Sequence, residues 1–158
     1  METICDWLFG RERFVVDLIG DNNFAHDIKL EDAGLDLPFP HDVTINAGEF
    51  AKVPMGFRLR HYKNGSPHAF QLTHRSSVYK QGNVSLANMT PLFDRQYIGE
   101  VILIIRNNGP WEVILEKGTS IAQATFPSLN PIRNVKIGKY KEYFRATKRG
   151  CKALGSTG

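Results

Sequence analysis

Gly56-Phe57-Arg58-Leu59-Arg60-His61, then Asn64-Gly65, then Ala69-Phe70-Gln71-Leu72-Thr73, is the stretch that decides the fold. Apolar and polar residues alternate on both sides of an Asn-Gly pair, which predicts a tight β-hairpin. Working outward, residues 13–19, 43–45, 49–53, 83–87, 101–105, 111–115 and 119–126 carry the same β-branched or alternating character. Asn46-Ala47-Gly48, Asn107-Asn108-Gly109-Pro110 and Glu116-Lys117-Gly118 separate them as turns. Pro38 and Pro40 forbid a helix in their neighbourhood, and residues 76–80 suit one helical turn at most. Many short strands at close spacing predict an all-β sandwich or barrel, with 119–126 as its last clear core strand. There are no internal repeats.

The 158 residues suit one domain, large enough to bury its own core. We expect a leader over 1–12, a β core over 13–136 and a C-terminal arm over 137–158. Residues 1–50 hold eleven acidic and three basic side chains, whereas 51–158 hold five acidic and seventeen basic. The basic surplus is densest from Arg133 to Lys152, so the arm suits either phosphates or plain solvent. Cys5 and Cys151 show no CxxC spacing, which predicts reduced thiols and a cytoplasmic setting. The apolar runs are too short to span a bilayer, and we expect neither a secretion signal nor a membrane partner.

Chemistry is expected at Asn88-Met89-Thr90-Pro91-Leu92-Phe93-Asp94-Arg95-Gln96-Tyr97, a loop between two extended segments. Asn88 supplies a donor and an acceptor, Asp94 a base, and Tyr97 a flat face with a polar tip. Taken alone these are ordinary turn residues. They gain meaning from four other stretches, Ala33-Gly34-Leu35-Asp36-Leu37, Arg75-Ser76-Ser77, Gly118-Thr119-Ser120-Ile121-Ala122-Gln123, and Arg149-Gly150 with Gly155-Ser156-Thr157-Gly158.

In order and spacing, from about Asp32 to Gly158, these five stretches resemble the motifs of the trimeric deoxyuridine triphosphatases (dUTPases), including phage-type members. The resemblance implies a jelly-roll β fold, a homotrimer and hydrolysis of dUTP to dUMP and diphosphate. It implies phosphate contacts from Arg75, Ser76, Ser77, Gln123, Arg149, Gly155, Ser156 and Thr157, with Asp36 holding Arg75 in place. A triphosphate needs such cationic forks, hydroxyls and exposed amides. Asn88, Leu92 and Phe93 would meet the uracil, and Tyr97 would pack on the deoxyribose and exclude a 2′-hydroxyl. Asp94 would orient the water that attacks the α-phosphorus. Mg²⁺ would ride on the triphosphate through water, with no direct protein ligand. The five histidines, His26, His41, His61, His68 and His74, are expected as ordinary surface or half-buried side chains.

The chain departs from the family pattern at three places. Thr90, Pro91 and Phe93 stand where Val, Gly and Ile are usual, Ser120 where Arg is common, and Lys152-Ala153-Leu154 where Gly-Gly-Phe is usual. The first departure motivates a broadened base specificity, toward dTTP or another 5-substituted dUTP. The leader and basic arm motivate a protein-binding regulator as the other alternative, and no nucleic acid partner is expected. A dCTP deaminase would place a Glu where Ile104 stands.

Overall fold

A computed structural model describes residues 11–20, 24 and 31–145. Twelve strands form within these residues, with two short 3₁₀ turns at Val78–Gln81 and Lys141–Tyr143. The strands are β1 (Arg13–Leu18), β2 (Gly34–Asp36), β3 (Val43–Ile45), β4 (Phe50–Lys63), β5 (Ser66–His68) and β6 (Phe70–His74). They continue as β7 (Val84–Leu86), β8 (Leu92–Phe93), β9 (Glu100–Asn107), β10 (Val113–Leu115), β11 (Ala122–Thr125) and β12 (Val135–Gly138). One sheet runs β12-β1-β4-β9-β7, with β5 also on β4; a second runs β2-β11-β6-β8; β10 and β3 form a small third. The expected all-β, jelly-roll-like class is what the chain adopts.

Phe14 and Val16 of β1, Met55, Phe57 and Leu59 of β4, and Leu103 of β9 meet Leu35, Phe70, Leu72 and Ala124 in one apolar core. Phe14 stacks on Phe126 at 4.5 Å and meets Phe70 edge-on at 5.5 Å. Burying such side chains yields roughly 1.5–3 kcal/mol each, so this layer dominates the fold's stability. His61 is drawn into it, 1 % exposed, against the expectation of a surface or half-buried ring. Its Nε2 lies 2.8 Å from the buried Glu12 and its Nδ1 2.9 Å from the Ala69 carbonyl. Burial lowers its pKa, opposed by both of these acceptors.

Two strand expectations need correction, and two strands went unforeseen. The separate strands at 49–53 and 56–61 are one strand, β4, whose pairing with β9 shifts between Pro54 and Arg58. Gly56, at φ +78°, absorbs that bulge, and its N–H donates to Glu100 Oε2 at 2.8 Å. The Asn64-Gly65 turn forms as expected, both residues at positive φ, but β5 answers β4 across it. The following residues, β6, cross to the second sheet, where Phe70 and Leu72 reach the core. Finally, β2 and β12 lacked a legible pattern because one has three residues and the other lies parallel to β1 with every residue only half-buried. The expected boundary between core and arm at 136/137 therefore falls inside a strand.

Candidate active site

Three strands of the second sheet build a polar floor. Gln123 on β11 lies between Asp36 on β2 and Thr73 on β6; one step along, Thr125 lies between Gly34 and Gln71. Residues two apart on a strand share a face, so these side chains line one side of the sheet. They border a cleft of about 790 Å³ that also reaches Asp32, Arg75, Ser76 and the apolar Leu129 and Ile132.

Arg75 follows β6 and is pinned by its N–H, which donates to the Ile121 carbonyl at 2.8 Å. Its Nε lies 3.0 Å from Asp36 Oδ1, and its Nη1 donates to the Ser120 carbonyl at 3.2 Å. About a third of the Arg75 side chain stays exposed, so the held guanidinium remains available to an anion. Gln123 donates one Nε2 hydrogen to the His74 carbonyl at 3.2 Å. Gly34 leaves room for that amide, since a Cβ there would come within 2.0 Å of Gln123 Oε1 and push the flexible side chain aside. Ser76 is exposed at the rim, whereas Ser77 begins the 3₁₀ turn and does not border the cleft.

The loop from Ala87 to Gly99 joins β7 to β9, which pair antiparallel as expected, but its β8 crosses to pair with β6. Pro91 fixes this crossing by accepting the Leu72 N–H at 2.9 Å. Leu92 is 65 % exposed, whereas Phe93 turns inward, stacked on Phe70 at 4.9 Å and edge-on to Tyr97 at 5.7 Å. Asn88 and Asp94 are exposed. Tyr97 is buried, its hydroxyl donating to the Glu100 carbonyl at 2.6 Å, and Gly99 leaves room for that ring. None of these loop residues borders the cleft of its own chain.

The described structure thus brings together Asp36, Arg75, Ser76 and Gln123, while Asn88, Leu92, Phe93, Asp94 and Tyr97 do not line the cleft, although Leu92 pairs with Gln71 at its edge. Arg149, Gly155, Ser156 and Thr157 lie outside the described residues, as do Cys5, Cys151, His26 and the leader up to residue 10. Gln71, Thr73 and Thr125 are cleft residues that the motifs do not mark. Each lies two positions from another floor residue or from Arg75, a spacing that marks a shared face only once these segments are known to be paired strands beside a cleft. Among the described residues, no cluster of three or more His, Cys, Asp or Glu side chains forms a metal cage. No helix among them is long and apolar enough to cross a membrane.

The family model described as dUTPase matches residues 24–158. A "Deoxyuridine 5'-triphosphate nucleotidohydrolase" of Clostridium tetani is 33% identical over 135 residues, 85% of this chain and 86% of that protein. The enzyme of the same name from Rickettsia bellii is 32% identical over 130 residues, 80% of this chain and 81% of its own. Among solved structures, Streptococcus mutans dUTPase superposes with a TM-score of 0.58 at 23% identity, covering 77% of this chain and 98% of its own. A Staphylococcus bacteriophage 80alpha dUTPase variant bound to dUpNHpp gives 0.59 at 20% identity, covering 92% and 98%.

Proposed function

This chain belongs to the dUTPase family, and we propose that its cleft binds the triphosphate of dUTP for hydrolysis to dUMP and diphosphate. The observation that carries the site reading is the Arg75–Asp36 contact at 3.0 Å beside Gln123. It presents a fixed guanidinium, an amide and the Ser76 hydroxyl on one polar floor, a donor set suited to phosphate oxygens.

In this reading the oxygen of water bonds to the α-phosphorus, the bond from that phosphorus to the bridging oxygen breaks, and diphosphate leaves. Asp94 accepts a proton from the water and holds it in line. Asn88 pairs with the uracil edge, the exposed Leu92 sits against the base, and Tyr97 closes the sugar's 2′ side. Phe93 shapes that pocket from behind, since its ring packs on Phe70 and Tyr97. Ser77 sets the turn after Arg75, and Arg149, Gly155, Ser156 and Thr157 supply the arm that covers the phosphates. The family is metal-dependent. The Arg75, Ser76 and Gln123 donors suit phosphate, so Mg²⁺ would be held by the triphosphate rather than by these side chains and would supply charge neutralisation there.

The site as proposed is shared between chains of a homotrimer. Two observations support this. The loop that carries Asp94 does not border the cleft of its own chain. Ile102 and Ile104 of β9 lie only half-buried beside Pro54 and Lys52 of β4, leaving apolar surface on the sheet's outer side for another copy. Cytoplasmic dNTP pools are the proposed setting.

A second reading, admission of a 5-methyl group as in dTTP, is favoured by Pro91. It gives the base-reading loop a residue with no N–H, and its carbonyl is already committed to Leu72. Diphosphate release from dUTP, dTTP, dCTP and UTP in parallel separates the two. Turnover of dUTP alone supports strict uracil reading, turnover of dTTP as well supports the second, and turnover of neither removes both.

A further inference from the structure

Arg60, on β4, is 5 % exposed, and among the described residues no carboxylate pairs with it. Its guanidinium reaches two separate segments instead. Nε and Nη2 both donate to the Arg95 carbonyl, at 3.3 and 2.7 Å, and Nη1 donates to the Tyr143 carbonyl at 2.8 Å. The same Tyr143 carbonyl accepts the Tyr62 hydroxyl at 2.9 Å, and the two tyrosine rings meet edge-on at 5.2 Å. Arg95 adjoins Asp94. Tyr143 lies in the segment that leads into the arm, a segment fixed further upstream where the Tyr140 N–H donates to Asp17 Oδ1 at 2.8 Å.

The remaining contacts of Arg60 are with Tyr62, whose hydroxyl accepts from Nη1 at 3.4 Å and whose ring lies 5.7 Å from the guanidinium carbon. Burying a guanidinium among such neutral groups costs desolvation that an apolar side chain would avoid. What the charge adds is geometry: a planar fork can fix two backbone carbonyls at once, from a strand held by β1 on one side and β5 and β9 on the other. We propose that Arg60 is a positioning residue that ties the Asp94 loop to the root of the C-terminal arm, setting both for hydrolysis. The proposal rests on the reading that Asp94 and the arm act on dUTP. The motifs give no hint of it, because Arg60 lies outside all five.

The test uses the full-length chain. Arg60→Ala should lower kcat for dUTP by about tenfold or more, with a smaller change in KM, because the phosphate floor at Arg75 and Gln123 is untouched. Arg60→Lys, which keeps charge but loses the fork, should remain impaired. An open cavity of about 480 Å³, lined by Arg60, Tyr62, Tyr143 and Arg145 among others, adjoins the guanidinium. Millimolar methylguanidinium should therefore restore part of the Arg60→Ala activity, and ethylammonium should not. Amide exchange should quicken together at 92–99 and 139–145 in Arg60→Ala, with β9 unchanged. Wild-type kcat in Arg60→Ala, no rescue, or quickened exchange at only one segment would overturn the proposal. If the wild type itself fails to hydrolyse dUTP, the functional reading falls, and the paired exchange change alone decides whether the tie exists.

Discussion

Asp36 and Arg75 sit on opposite sides of β11, and their contact at 3.0 Å spans the strand that carries Gln123. This places a carboxylate where it orients a cation without blocking the cation's open side. Both side chains are a third to a half exposed, so the pair adds only about 0–1 kcal/mol to stability after solvent screening. Asp36→Asn should therefore leave the denaturant midpoint nearly unchanged. Its KM for dUTP should rise by about tenfold as the Arg75 fork loses its orientation. An unchanged KM would mean that Arg75 is placed by Ser120 and its own backbone alone.

Gly34→Ala tests the packing under Gln123. A Cβ at that position meets the flexible end of the Gln123 side chain, so the amide shifts while the strand stays. kcat/KM should fall by about tenfold, and adding Gln123→Ala should cost little more, because both changes remove one contact. Full additivity of the two losses would contradict this.

Asp36 and Gln123 were legible from their motifs, and the register of β2, β11 and β6 then sets them in one row with Thr73, which no motif marks. Arg75 and Ser76 were legible as a motif. Thr125 and Gln71 were not, since a lone polar residue on a strand reads as solvent-facing until a cleft is seen beside it. Phe93 was expected at the base, yet its ring turns to Phe70, because β8 pairs with β6 and alternation then exposes Leu92 instead. Likewise β4 was read as two strands, since a glycine at positive φ looks like a chain break in sequence and acts as a bulge in the sheet. The Glu12–His61 contact joins residues 49 apart in the chain, a separation that no local pattern encodes.

That buried histidine gives a pH prediction. Burial lowers the folded-state pKa of His61 below its ordinary value of 6.5. The unfolded chain then takes up a proton that the folded chain lacks, so His61 costs nothing above pH 6.5 and destabilises the fold as pH falls below it. Urea denaturation at pH 7.5 and at successively lower pH should show wild-type stability falling more steeply than that of His61→Gln. Parallel profiles for the two proteins would show that the contacts to Glu12 and Ala69 fully offset burial.

If the Asp94 loop serves the cleft of another chain, two dead variants should repair one another. Asp94→Asn and Arg75→Ala should each keep the fold and lose about a hundredfold or more in turnover. Unfolded and refolded together in equal amounts, they should recover about a quarter of wild-type activity, because a quarter of the shared sites draw both intact groups. No recovery would place loop and cleft of the same chain in one site.

Whether water attacks the α-phosphorus of dUTP is read by hydrolysis in ¹⁸O-labelled water with mass analysis of both products. Attack at that phosphorus puts the label in dUMP and none in diphosphate. Label in diphosphate, or release of orthophosphate in its place, would contradict it.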